Sequence, residues 1–177
     1  MKAYIITGAP GAGKTEIVEE LVKRGYLGLE EVPRKLLEEK TAEKIGISPF
    51  KDVEKFANLV FEEMYKQYKE TIKKDDSLCF FDRGIPDVLA YLENSKIPIP
   101  DDYYSMLNKC RFEKDVFICP PWKEIYSNDS IRPYPYEDIL LLHRQIVSIY
   151  DKLGFNLIEI PKLPIAQRAD FVVSHLS

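Results

Sequence analysis

Cysteine, histidine and tryptophan are scarce in this sequence, at three, two and one in 177 residues. Cys79, Cys110 and Cys119 are odd in number and lack the paired spacing of a metal site. They read as small core residues, two of them inside expected buried strands, which fits a reducing cytoplasm. His143 lies beside an apolar helical stripe with no second triad member near it in sequence, so a structural role is expected for it. No apolar run approaches the ~20 residues of a membrane span. The chain enters an expected strand at once, so no secretory leader is expected either. There is no basic surplus: the formal net charge is −4 and the pI about 5.4, which argues against a general nucleic-acid or membrane surface. Internal repeats and low-complexity segments are absent. What remains, 45% hydrophobic and 31% charged residues, describes one soluble globular domain over 1–177.

Against that background one stretch stands out. Gly8-Ala9-Pro10-Gly11-Ala12-Gly13-Lys14-Thr15 matches the phosphate-binding loop G-x-x-x-x-G-K-[ST] in full. An apolar run, Met1 to Thr7, precedes it and reads as a buried strand; Ile17, Val18, Leu21 and Val22 follow it at helical spacing. Glycines let successive backbone N–H groups turn inward on phosphate oxygens, and the helix N-terminus adds its positive end. Gly8 to Glu16 are therefore expected to bind a nucleoside triphosphate. Lys14 should reach the β- and γ-phosphates, and the Thr15 hydroxyl should ligate Mg²⁺. The bland alternative is a glycine-rich turn opening an ordinary helix.

Downstream, Gly25 to Leu29 reads as a second strand that delivers Glu31 and, from a helix opened by Pro33, Arg34. These two are three apart and are expected to face one pocket. A long helix is expected from Ser48, with Val53, Phe56, Val60, Met64, Tyr68 and Ile72 as its apolar face. Leu78 to Phe81 form a buried parallel strand that ends in Asp82, the natural Mg²⁺ partner beside a phosphate loop, directly or through water. Arg83 follows, placed to touch a phosphate or an anionic substrate. Pro86 opens another helix with Asp87 in its first turn and Tyr91 beyond, the latter expected to pack. Asp115 to Cys119 form a fourth strand; a fifth runs from Phe155 to Ile160. Residues 127–135 lack periodicity and read as a loop carrying Arg132.

Strands alternating with helices argue an α/β fold with a five-stranded parallel sheet covered on both faces. Asp82 must lie beside the phosphate loop, which gives the strand order 2-3-1-4-5 with right-handed crossovers.

GAPGAGKT, Glu31-Val32-Pro33-Arg34, Phe81-Asp82-Arg83-Gly84 with Asp87 and Tyr91, Asp129 with Arg132, and the segment from Pro161 to Arg168 together resemble the small AAA-type P-loop ATPase/kinase family. That family is similar to the ribosylnicotinamide-kinase domain and to nucleoside and nucleotide kinases. The resemblance implies a three-layer kinase-like fold, a lid around Arg132, adenine near Pro161 to Leu163, and Glu31 and Arg34 at the acceptor site. With 177 residues, the extra helical domain of ring-shaped motors, and hexameric remodelling with it, is not expected.

The expected activity is an ATP- and Mg²⁺-dependent phosphotransferase, with GTP left open as donor. Its acceptor is an unidentified small molecule, and the chain is expected to be a monomer or small homo-oligomer. In this reading Lys14, Asp82, Arg83, Arg132 and Glu31 are catalytic, with Asp87 the second candidate to orient or deprotonate the acceptor. Thr15 and Asp82 hold the metal, and Glu31, Arg34, Arg83 and Asp87 line the acceptor site. The rival is a nucleotide-dependent switch without a small-molecule acceptor.

Overall fold

The computed structural model describes residues 1–73, 78–126 and 135–176. The expected lid with Asp129 and Arg132 lies outside them, apart from Pro135. Described strands are β1 (Lys2–Gly8), β2 (Leu27–Leu29), β3 (Leu78–Asp82), β4 (Phe112–Cys119) and β5 (Asn156–Glu159). Between them run α1 (Lys14–Lys23), α2 (Val32–Glu38), α3 (Thr41–Lys44), α4 (Val53–Thr71), α5 (Ile85–Asn94), α6 (Asp101–Leu107) and α7 (Tyr136–Lys152), and α8 (Ile165–Ser174) follows β5. All pairings are parallel and the order is β2-β3-β1-β4-β5, as the placement of Asp82 required.

The central strands are buried on both faces, and successive side chains divide between two cores. Ile5 of β1 with Val116 and Ile118 of β4 faces α4, α5 and α7, whose Phe56, Val60, Met64, Leu89 and Ile146 complete that side. Tyr4, Ile6, Phe117 and Cys119 face the other way, onto Ile17 and Leu21 of α1 and Ala169 and Val172 of α8.

Element boundaries shift from the sequence reading in three places. The long helix starts at Val53 rather than Ser48. Ser48 instead begins a turn, its N–H donating to Asp52 Oδ2 at 2.9 Å while Asp52 N–H returns to Ser48 O at 2.8 Å. Local side-chain hydrogen bonding of this kind competes with helix. β2 is reduced to three residues, and β4 begins earlier, at Phe112.

Gly84, which joins β3 to α5, has an ordinary backbone but no room. A Cβ there would lie 2.5 Å from Ile5 Cδ1 and 2.8 Å from the Tyr150 hydroxyl. Gly84→Ala is therefore expected to lower stability by about 1–3 kcal/mol through overpacking. Urea denaturation checks this; an unchanged midpoint would mean that α5 does not press on β1 at that point.

Candidate active site

The loop between β1 and α1 places its backbone as the motif requires. Gly13, the residue before α1, is left-handed at φ 79°, a region open to glycine at little cost. A Cβ there would also stand 2.6 Å from Arg168 Nη1. Arg168, in the first turn of α8, is fully buried behind the loop. Its Nη2 donates to Ala12 O at 2.8 Å and approaches Cys119 Sγ at 3.1 Å, while its guanidinium carbon sits 5.9 Å from the Trp122 ring centre. The sequence placed Arg168 only within a late segment; its role as a prop of the phosphate loop needs the packing of α8 on α1.

Lys14 is 4% exposed and its Nζ donates to Ala9 O at 2.9 Å. Burial, reinforced by the Arg83 charge, lowers its pKa to about 8. The Thr15 hydroxyl donates to Asp82 Oδ2 at 2.6 Å. This contact follows from register: Asp82 pairs with Ile6, two residues before the loop begins. Asp82 is buried and its Oδ1 has no hydrogen-bond partner among the described residues. Burial first, then the Glu31 carboxylate, push its pKa up to about 6. One hydroxyl and one carboxylate with an orphaned oxygen fit Mg²⁺, which takes few protein ligands and keeps water and phosphate oxygens for the rest. No cluster of three or more acidic, histidine or cysteine side chains that would form a dedicated metal cage occurs among the described residues.

Beyond Asp82 the chain turns sharply. Arg83 has φ 74°, a strained setting for a long side chain. The turn sends its guanidinium inward, where it is 7% exposed. Nε donates to Glu31 Oε1 at 2.6 Å, and Nη1 donates to Gly8 O at 2.9 Å and to Asp87 Oδ1 at 3.0 Å. Burial alone would lower the Arg83 pKa, but Glu31 and Asp87 outweigh it and the net shift is upward. Asp87 Oδ1 also accepts from the Thr7 hydroxyl at 2.7 Å; Oδ2 accepts from Gly84 N–H at 3.1 Å and from the Tyr150 hydroxyl at 2.6 Å. Its carboxylate thus holds four donors and acts as a clamp on Arg83. Thr7 and Tyr150 escaped the sequence reading, since Tyr150 shows there only as one more large residue of an apolar helix.

Two of the spaces beside this network share Pro10 and Glu31. A groove runs past Gly11, Gly13, Lys14, Thr15, the exposed Glu16, Glu31 and Arg34 to Ile165 at the start of α8. Arg34 belongs to this groove, with Nε donating to Glu38 Oε1 at 2.8 Å. On the other side of Pro10 lies an apolar cavity of about 110 Å³, lined at one end by Glu31, Arg83 and Asp87. Tyr91 lines it too, whereas Arg34 does not. Glu31 and Arg34 therefore share the groove, and only Glu31 also borders the cavity. His143 lines neither space: its Nδ1 has no hydrogen-bond partner among the described residues, and burial, reinforced by the Lys14 charge, lowers its pKa to about 4, so it is neutral at pH 7.

Asp87→Asn would keep the shape of this network but remove a charge and mismatch at least one of four donors. Breaking a buried, hydrogen-bonded ion pair in this way is expected to cost about 3–5 kcal/mol. Chemical denaturation measures it; a loss under about 1 kcal/mol would mean that Asp87 does not hold Arg83.

Comparison with known proteins agrees with this architecture. No curated protein matches the chain. Among solved structures, deoxyadenosine kinase from M. mycoides with bound dATP superimposes with a TM-score of 0.71 at 16% identity, covering 98% of both chains. Thymidylate kinase from Ehrlichia chaffeensis gives 0.66 at 14% identity, covering 100% of both. The NadR protein in complex with NR gives 0.77 at 16% identity, covering 98% of this chain and 51% of that one. At such identities the likeness is one of fold: a P-loop kinase fold. An AAA domain family model matches residues 3–168, nearly the whole sequence, and the chain belongs to that family.

Proposed function

We propose that the protein is an ATP- and Mg²⁺-dependent kinase that transfers the γ-phosphoryl group to a hydroxyl of a small molecule. One observation carries this reading: the groove of the phosphate loop and an apolar cavity share the buried carboxylate of Glu31, which on the cavity side holds Arg83, itself paired with Asp87. A hydrolase that only switches shape has no use for a second space with a carboxylate at its junction with the first. That solved structures of the same fold include a deoxyadenosine kinase with bound dATP and the NadR protein in complex with NR supports a site that takes nucleotides.

The proposed division of labour follows the geometry. Loop amides from Gly8 to Thr15, with Lys14, neutralise the β- and γ-phosphates. Thr15 and Asp82 would hold Mg²⁺, which when bound would supply positive charge to neutralise the phosphates. Arg83, aimed by Glu31 and Asp87, stabilises charge on the transferring group. Arg34, at the groove's rim, steers the phosphates. Glu31 borders both spaces and orients or deprotonates the acceptor hydroxyl, while Asp87, with four donors on its carboxylate, positions Arg83. Arg132, outside the described residues, is the proposed lid arginine. Such a reaction asks mainly for positioning and electrostatics, which these groups supply.

The test is an assay of ADP release with and without candidate acceptors. Acceptor-dependent turnover supports the kinase; hydrolysis indifferent to every acceptor favours the switch. Asp82→Asn is expected to abolish turnover at all Mg²⁺ concentrations while leaving metal-free nucleotide affinity equal or better, because a negative charge near the phosphates is gone. Normal turnover in this variant would exclude the metal role.

Lys14 sets a pH limit. As a base with its pKa lowered to about 8, it is charged at pH 7 and sheds its proton above pH 8. Affinity for Mg-ATP should therefore hold from about pH 6.5 to 7.5 and then fall toward tenfold per unit above pH 8. Titration calorimetry across that range checks it; a flat profile in the wild type, matched by Lys14→Ala, would remove Lys14 from phosphate binding.

A further inference from the structure

If the protein is a kinase, the lining of the cavity selects its acceptor. The walls away from the charged end include Phe56, Val60 and Met64 of α4, Val88 of α5, and Leu142 and Ile146 of α7. Among the described lining residues the polar side chains are Glu31, Arg83 and Asp87 at one end and Tyr91, one helical turn beyond Asp87. No amide side chain is among them. The nearest amides on α4 are engaged elsewhere: Asn58 accepts from the Tyr103 hydroxyl and Gln67 donates to Glu30 O.

A nucleobase bound here would carry its ring nitrogens and exocyclic groups into an apolar wall. Each polar atom left unpaired costs a factor of about 5–150 in affinity. Sites that recognise such groups provide hydrogen-bonding partners for them. The charged end bears two carboxylates and one guanidinium, a net −1, which disfavours an acceptor that is already a phosphomonoester. The volume of about 110 Å³ is below the ~150 Å³ of an apolar cavity known to take benzene, so the body that fits is at most one ring, or a short branched chain.

We propose, resting on the kinase reading of the site, that the acceptor is a neutral primary alcohol on a small apolar body, with its hydroxyl at Glu31 and its carbon skeleton among Phe56, Val60, Met64, Val88, Leu142 and Ile146. The hydroxyl oxygen attacks the γ-phosphorus and forms the new O–P bond. The bond from that phosphorus to the β,γ-bridging oxygen breaks, and ADP leaves with its electron pair. The hydroxyl proton passes to the Glu31 carboxylate and from there to solvent. The products are the alcohol's phosphomonoester and ADP, so nothing is oxidised or reduced.

A homologous series tests this. With Mg-ATP, the n-alkanols from ethanol to pentanol, 3-methylbutanol and benzyl alcohol are assayed beside thymidine, deoxyadenosine and ribosylnicotinamide, with ³¹P NMR identifying the product. KM should fall about fourfold per added methylene until the cavity is full. The best apolar alcohol should exceed every nucleoside at least tenfold in kcat/KM. A nucleoside that outperforms all the alcohols overturns the proposal and leaves the kinase reading intact; ATP hydrolysis unaffected by any acceptor overturns both. Met64→Gln should raise the KM for benzyl alcohol at least tenfold, whereas Met64→Leu, which conserves volume, should change it less than threefold. Should Met64→Gln not fold, Val60→Thr adds a single hydroxyl to the same wall with the shape kept. An unchanged KM in the folded polar variant places the acceptor elsewhere and overturns the proposal.

Discussion

The hold of Glu31 and Asp87 on the Arg83 guanidinium is the constraint on which the site depends. A buried cation is tolerable only with its charge matched and its hydrogen bonds made. Here the partners come from three separate parts of the chain: the start of α2, the first turn of α5 and the carbonyl of Gly8. Satisfying one guanidinium therefore fixes where the second strand's following helix, the β3–α5 turn and the entry to the phosphate loop lie relative to one another. The positive φ of Arg83 is a cost of roughly 1–3 kcal/mol that persists because these partners over-determine the conformation.

Much of this was legible in the sequence because it is local or periodic. The phosphate loop is eight consecutive residues, and a buried run ending in aspartate declares both a parallel strand and its chemistry. The strand order came from a single requirement, that Asp82 stand beside the loop, and the register of Ile6 with Asp82 meets it. What could not be read depends on approaches between distant segments. Asp87 looks like any acid in a helix's first turn until Tyr150, 63 residues away, brings its hydroxyl to it. Arg34 shares the groove with Glu31, as their spacing suggests, but only Glu31, which precedes the helix with an extended backbone, also borders the cavity. Short turns mislead in the same way: Pro49 suits a helix start, but the Ser48–Asp52 hydrogen bonds take the backbone first.

Burial and charge work against each other across the site. Lys14 and Asp82 are pushed toward their neutral forms by desolvation, which weakens both as electrostatic tools when no ligand is near. Phosphate charge beside Lys14 and a cation beside Asp82 act in the opposite sense. Ligand binding and the ionisation of these groups are thus linked, and each strengthens the other.

The helix that presents Tyr150 to Asp87 also supplies Leu142 and Ile146 to the cavity wall. A ligand that pushes on those two side chains pushes on the lever that aims Arg83, since helices move as rigid rods over such lengths. The α4 wall reaches the guanidinium less directly, through Gln67, which donates to Glu30 O beside Glu31. Anyone reshaping this protein to accept bulkier molecules should carve space from α4, at Met64 or Val60, and leave α7 in place. On that account acceptor breadth is changed with least disturbance of catalytic aim from the α4 side of the cavity.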